Sequence, residues 1–135
     1  MNGARIINLP KILDERGNLS FLESQKHIPF NIKRAYWIYD VPGGSTRGGH
    51  AFIKQKEFIV ALSGSFDVII NDGYQEQKFS LNRSYYGLYI PNLIWRQMDN
   101  FSTNSLALVV SNTHYDQQDY VYENKEYLKL VNGSV

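Results

Sequence analysis

Cysteine is absent from the sequence, which excludes disulfides, thiolate nucleophiles and cysteine–zinc centres. An excess of either charge is missing too. Fourteen Lys and Arg stand against 13 Asp and Glu, for a formal net charge of +1. A chain so close to neutral carries no polyelectrolyte signature, and we expect neither a nucleic-acid surface nor a membrane-binding face. No apolar run is long enough to span a bilayer, and the opening stretch MNGARIINLPKILDERGN lacks the apolar segment of a signal peptide. The expectation is a soluble, cytoplasmic protein. Internal repeats, low-complexity segments and interdomain linkers are also lacking, so residues 1–135 read as one domain. At that length folding buries roughly two-thirds of the unfolded chain's surface, enough for a core without staples.

What the chain does have is aromatic residues, 14% of the total with 10 tyrosines, and a succession of short β-forming runs between turn signals. Residues 4–9 read as a first strand that Pro10 places at an edge or ends. Asp14 to Asn18 is a turn cluster around Arg16-Gly17, with extended chain resuming at Leu19, which together fit a hairpin. His27 to Phe30 reads as a loop. Lys33 to Tyr39 is a strand, broken by Val41-Pro42-Gly43-Gly44. Asn71-Asp72-Gly73 predicts a tight turn pairing Phe66–Ile70 with Tyr74–Phe79. Tyr85–Ile90, Trp95–Met98 and Leu106–Ser111 follow as strands, the last buried by its unbroken apolar run. Only the tail, Gln117 to Leu130, reads as helical, with Asp116 or Asp119 to cap it. The pattern is all-β, a sandwich or barrel with a short C-terminal helix.

The stretch Gly44 to Gly64, GSTRGGHAFIKQKEFIVALSG, carries the most chemistry. Its Gly44, His50, Phe52, Glu57 and Gly64 have the spacing of the first cupin motif, G-x5-H-x-H-x3-4-E-x6-G, with Phe52 at the second histidine. That resemblance implies a small double-sheet jelly roll, the double-stranded β-helix of cupins. Residues i and i+2 of a strand share a face, so His50 and Phe52 look the same way. Glu57 falls on the opposite parity, and a bulge or turn around Lys54-Gln55-Lys56 is needed to bring it inward.

Most cupins hold a metal on two histidines and a glutamate of this motif plus a histidine of a second. Here Phe52 removes one ligand, and the second region, GLYIPNLIWRQM, has Trp95 or Arg96 at the histidine position. None of these side chains ligates a metal, so no metal or other cofactor is expected. Catalysis without metal rests on His50, whose unperturbed pKa lies near neutrality. Tyr36, Trp37, Tyr39 and Trp95 are candidates to line the same cavity. Arg16, Arg34, Arg47 and Arg96 are candidates for an anionic part of a ligand, because guanidinium matches phosphate oxygens in bidentate fashion. His27 and His114 read as surface residues.

The runs DERGNLSFLE (14–23), IPFNIKR (28–34), KRAYWIYD (33–40), TRGGHAFIKQKEFIVALSGSFDVIINDG (46–73), GLYIPNLIWRQM (87–98) and SNTHYDQQDY (111–120) resemble the WxcM-like sugar-nucleotide 3,4-ketoisomerases in order and spacing. The resemblance covers nearly the whole chain. It implies a small cupin forming a homodimer by exchange of N-terminal strands. It further implies a metal-free isomerase that turns a dTDP-linked 4-keto-6-deoxyglucose into a 3-keto-6-deoxyhexose for bacterial surface polysaccharides and glycosylated antibiotics. His50 is then the candidate proton-transfer base, with Tyr36 or a water as the second polar group for transfer between the two oxygens. Arg16, Arg34, Arg47, Trp95, Arg96 and Glu57 are substrate-binding candidates. Three departures lie at pocket positions. Phe52 replaces the family's second histidine, Arg96-Gln97 replaces histidine-glutamate, and Tyr122 stands where the family's tail has arginine. They support a second reading of another class, a catalytically silent cupin that binds a sugar nucleotide or serves as a partner subunit in the same pathway.

Overall fold

The structure, a computed structural model, describes residues 1 and 3–133. Along the chain come β1 (Arg5–Asn8), β2 (Lys11–Ile12), β3 (Leu19–Ser20), β4 (Arg34–Ile38), β5 (Arg47–Phe52) and β6 (Glu57–Ser63). They are followed by β7 (Phe66–Asn71), β8 (Glu76–Leu81), β9 (Tyr86–Ile90), β10 (Trp95–Asp99) and β11 (Leu106–Ser111). A single 3₁₀ turn (Gln117–Asp119), β12 (Tyr120–Val121) and α1 (Asn124–Val131) complete the chain. The strands form two five-stranded sheets, ordered β1-β9-β6-β11-β4 and β12-β5-β10-β7-β8, and β2 pairs with β3 alone. This is the jelly-roll arrangement expected of the cupin class. Among the described residues no ladder joins the two large sheets, so it is a sandwich rather than a closed barrel.

Alternation along the strands decides what faces the interior. Ile59, Ala61, Leu88, Ala107 and Val109 of the first sheet meet Phe66, Val68, Ile70, Leu81 and Met98 of the second. The intervening residues of the first sheet are apolar as well. Phe58, Val60, Tyr89 and Val110 pack behind it against Leu9, Ile28 and Phe30 of the N-terminal arm. Burial on both faces explains why FIVA and LALVV run apolar without a break. The second sheet is covered on its outer face by α1, where Tyr127 lies against Ala51 and Val121.

The turns follow their chemistry. Asn71 Oδ1 accepts the Gly73 N–H at 2.7 Å, and Asp72 Oδ1 accepts those of Tyr74 and Gln75, both at 2.9 Å. These bonds extend the predicted turn, so β8 starts at Glu76 and Tyr74 sits exposed in the loop. The predicted hairpin around Arg16-Gly17 is present as β2–β3, and β1 lies at a sheet edge.

The tail departs from expectation. In place of a helix over 117–130 there is a 3₁₀ turn, a short strand and an eight-residue helix. Asp116 does cap, accepting the Gln118 N–H at 3.0 Å. Asp119 is instead turned inward to the loop after β5. The β-forming Tyr120 and Val121 then pair with Phe52 and Ala51, since β5 would otherwise be an open edge.

Candidate active site

The turn predicted at Lys54-Gln55-Lys56 exists and is held from outside. Asp119 accepts the backbone N–H groups of Lys54 (2.7 Å) and Gln55 (3.1 Å), and Asn112 Oδ1 accepts that of Lys56 (2.7 Å). It resets the side-chain parity, so Glu57 enters the same interior that His50 and Phe52 face. A second irregularity lies earlier in β5, where Arg96 pairs with His50 but Met98 pairs with Arg47. The extra residue on β5 is a bulge at Gly48-Gly49. Gly48 has φ +73, and a methyl group on it would run into the Arg96 guanidinium. Glycine here leaves the space that the arginine fills.

Arg96 and Glu57 are 2% and 1% exposed. The Arg96 Nε donates to Glu57 Oε2 at 2.9 Å, and its Nη2 donates to Glu57 Oε1 at 3.0 Å. The same Nη2 donates to the Tyr36 hydroxyl at 2.9 Å, and that hydroxyl donates to Glu57 Oε1 at 2.6 Å. Gln55 Nε2 reaches the same oxygen at 3.0 Å, while its Oε1 accepts from Arg34 Nη2 and Thr113 Oγ1, both at 2.7 Å. A buried polar chain thus runs from the loop after β11 through Gln55 to the carboxylate. Such a network is favourable only because nearly every donor and acceptor is met.

His50 stands next to this chain, 9% exposed, and its Nε2 is buried with no hydrogen-bond partner. Burial, with the positive charges of Arg96 and Arg47, lowers its pKa to about 4, Glu57 acting against them. The imidazole is therefore neutral at pH 7, a base with a free nitrogen. Burial would raise Glu57, but Arg96 and the hydrogen bonds from Arg96 and Tyr36 hold it below the usual carboxylate range. Burial and the Glu57 charge push the Tyr36 phenol far above its ordinary range, so it remains protonated and able to donate. Phe52 meets the His50 ring edge-on at 4.8 Å, and the Tyr120 ring lies 5.2 Å from it.

Of the residues singled out from the sequence, Tyr36, His50, Glu57 and Arg96 come together, with Arg34 joined through Gln55. Arg96 is turned inward, and its charge is met by Glu57 rather than left for a ligand. Arg47 lies at the exposed start of β5 and Arg16 at the tip of the β2–β3 hairpin, where it pairs with Asp14 at 2.8 Å. Trp95 does not line the interior. It sits beside Arg96 in the strand, so it points to the opposite face and packs on Tyr127 of α1 at 5.7 Å. Trp37 and Tyr39 flank the inward Tyr36 and Ile38 and are exposed for the same reason. Sequence reading passed over Gln55 and Thr113, whose importance lies in contacts 58 residues apart. A cavity of about 400 Å³ opens beside this chain, lined by Lys33, Lys54, Asn112, Thr113, His114 and Tyr115 together with the carboxylates of Asp116 and Asp119.

Comparison with known proteins gives consistent results. The family described as "FdtA: WxcM-like, C-terminal" matches residues 2–132. The TDP-4-oxo-6-deoxy-alpha-D-glucose-3,4-oxoisomerase of Aneurinibacillus thermoaerophilus is 40% identical over 131 residues, covering 95% of this chain and 94% of that protein. The WlaRB TDP-quinovose 3,4-ketoisomerase of Campylobacter jejuni is 40% identical, covers 96% of this chain and 99% of its own, and superposes with a TM-score of 0.91. A histidine-to-asparagine mutant of the 3,4-ketoisomerase QdtA from Thermoanaerobacterium thermosaccharolyticum was solved in complex with TDP-4-keto-6-deoxyglucose. It is 31% identical with a TM-score of 0.96, covering 98% of this chain and 96% of that one.

Proposed function

The chain belongs to the FdtA, WxcM-like C-terminal family, and from that premise we propose that it is a 3,4-ketoisomerase acting on a TDP-linked 4-keto-6-deoxyhexose. The observation that carries this reading is the buried, unpartnered Nε2 of His50 beside an internally neutralised Arg96–Glu57–Tyr36 cluster. The reaction needs one base over the C3–C4 bond and a route for a proton between two oxygens. His50 removes the C3 proton while the C4 oxygen gains one, giving an enediol. The C3 oxygen then loses its proton and His50 returns a proton to C4. Placement over both carbons lets a single imidazole serve both steps.

Tyr36 is the group we assign to the oxygens. Its phenol stays protonated, and its hydrogen bonds to Arg96 and Glu57 give it a fixed direction and a carboxylate with which to share the proton. The Arg96 cation, its charge met by Glu57, holds the phenol in place through its bond to the hydroxyl. No step requires a metal. Arg34 and Arg47 are assigned to the diphosphate, with Lys33 and Lys54 at the neighbouring cavity. Glu57 and Arg96 position the cluster rather than meet the nucleotide.

A homodimer belongs to the same reading. Ile12, Leu13, Leu19 and Phe21 are exposed on or beside the β2–β3 arm, an apolar surface suited to a second copy of the chain. Exchange of the N-terminal strands would bury it and carry Arg16 toward the partner's site.

The test is incubation with TDP-4-keto-6-deoxyglucose in deuterium oxide, followed by NMR. Deuterium at C3 or C4 with formation of a 3-keto sugar is expected. Tight binding with neither label nor product would instead favour the silent binding protein, to which Phe52 points.

A further inference from the structure

We propose that Tyr122, stacked on Tyr120, is the platform on which the apolar face of the keto-sugar ring rests while His50 works on it. The inference deepens the ketoisomerase reading and rests on it. In β12, Tyr120 lies opposite Phe52 and Val121 opposite Ala51. Val121 turns under α1 with Tyr127, so its two neighbours turn to the other face, the one that carries His50. There the rings of Phe52 and Tyr120 lie 4.5 Å apart, and those of Tyr120 and Tyr122 stack at 5.3 Å with planes 14° apart. The His50 ring centre lies 4.8 Å from that of Phe52, 5.2 Å from that of Tyr120 and 6.1 Å from that of Tyr122.

The three rings form one apolar wall that begins in the core and ends in solvent. Phe52 is buried and Tyr120 half-buried, whereas Tyr122 is 57% exposed. Neither core packing nor a buried hydroxyl accounts for a ring so exposed and yet held nearly parallel to its neighbour. A tyrosine fixed in this way offers a flat amphipathic face at little entropic cost. What it meets is set by distance. A ligand lying on Tyr122 is within reach of the imidazole, and in a sugar nucleotide the reacting sugar is the part near the base. A ribose and two phosphates hold the nucleobase farther off. A 6-deoxy sugar also presents a methyl where other hexoses carry a hydroxymethyl, which suits an aromatic wall. Where the family's tail has arginine, this chain recognises the sugar through an apolar face.

Titration calorimetry with TDP-4-keto-6-deoxyglucose and with TDP alone, on wild type, Tyr122→Ala and Tyr122→Phe, separates the possibilities. The alanine variant is expected to weaken the sugar nucleotide about 3- to 10-fold, the range for loss of one aromatic contact. TDP should bind all three proteins within about two-fold, and Tyr122→Phe should match wild type. The exposed position keeps the melting temperature of Tyr122→Ala close to wild type. Equal weakening of TDP and sugar nucleotide would assign the ring to the nucleotide and overturn the proposal. So would an alanine variant that binds both as wild type does. A wild type that binds neither would instead sink the ketoisomerase reading itself.

Discussion

Arg96 stands directly across the β5–β10 pair from His50, yet its guanidinium turns away to Glu57. One cation therefore has two effects. It neutralises a carboxylate that could not remain charged alone in the interior, and it adds to the burial that keeps the neighbouring imidazole unprotonated. The unprotonated imidazole of His50 and the protonated hydroxyl of Tyr36 are both set by burial together with this charged pair.

Replacing His50 with asparagine keeps a polar side chain but removes the titrating acceptor. Isomerisation should fall at least about 100-fold, the usual worth of a general base, while TDP affinity changes little. Steady-state turnover on TDP-4-keto-6-deoxyglucose decides it, and unchanged turnover would end the histidine-base mechanism.

The pH profile follows from the same site. With His50 at about 4 in the folded protein, kcat/KM should be level from about pH 6 upward and decline only as pH falls toward 4. A decline centred near 6.5 would mean that the imidazole is not held down by burial and Arg96.

Stability should fall on the same side. Both His50 and Glu57 have folded pKa values below their ordinary ones, so the unfolded chain binds more protons in that range. The His50 contribution is complete above about pH 6.5 and is lost as pH falls through about 4, while that of Glu57 is present above the ordinary carboxylate range and is lost only below it. Urea midpoints measured from pH 8 to 4 should decrease monotonically, and a midpoint that rose below pH 6 would contradict the assignment.

Removing one member of the buried pair leaves the other charge behind. Arg96→Gln is expected to cost about 3–5 kcal/mol in urea unfolding. Combining it with Glu57→Gln should recover a good part of that loss, because neither charge remains. Additive losses in the double variant would show that the pair is not coupled.

The exposed apolar arm makes a prediction about assembly. Sedimentation at micromolar concentration should show a dimer for the wild type and a shift to monomer for Leu13→Asp, since Leu13 is among the most exposed apolar side chains. A wild type that sediments only as monomer would remove the exchange of N-terminal strands.

Much of the site could be read in advance because its logic is local. His50 and Phe52 share a face by strand periodicity, and Glu57 needed a turn that Lys54-Gln55-Lys56 supplies. The same periodicity applied to Tyr36-Trp37 and Trp95-Arg96 shows that only one of each pair enters the interior. The structure selects Tyr36 and Arg96. The tail was misread because Tyr120 and Val121 suit a strand or a helix turn until a neighbour is specified. The unpaired edge of β5 and the backbone amides that Asp119 accepts decide for the strand.

By itself, then, the sequence determined the all-β class, the main turns, the motif residues and the family, since each depends on residue type at short spacing. The tertiary structure alone decided that Arg96 closes on Glu57, that Gln55 bridges Arg34 to that carboxylate, and that Tyr122 stands beside His50. The Arg34–Gln55, Arg96–Glu57 and His50–Tyr122 contacts join residues 21, 39 and 72 positions apart. A buried charge or an aromatic face takes its role from what the fold brings to it, and chain spacing does not encode that neighbour.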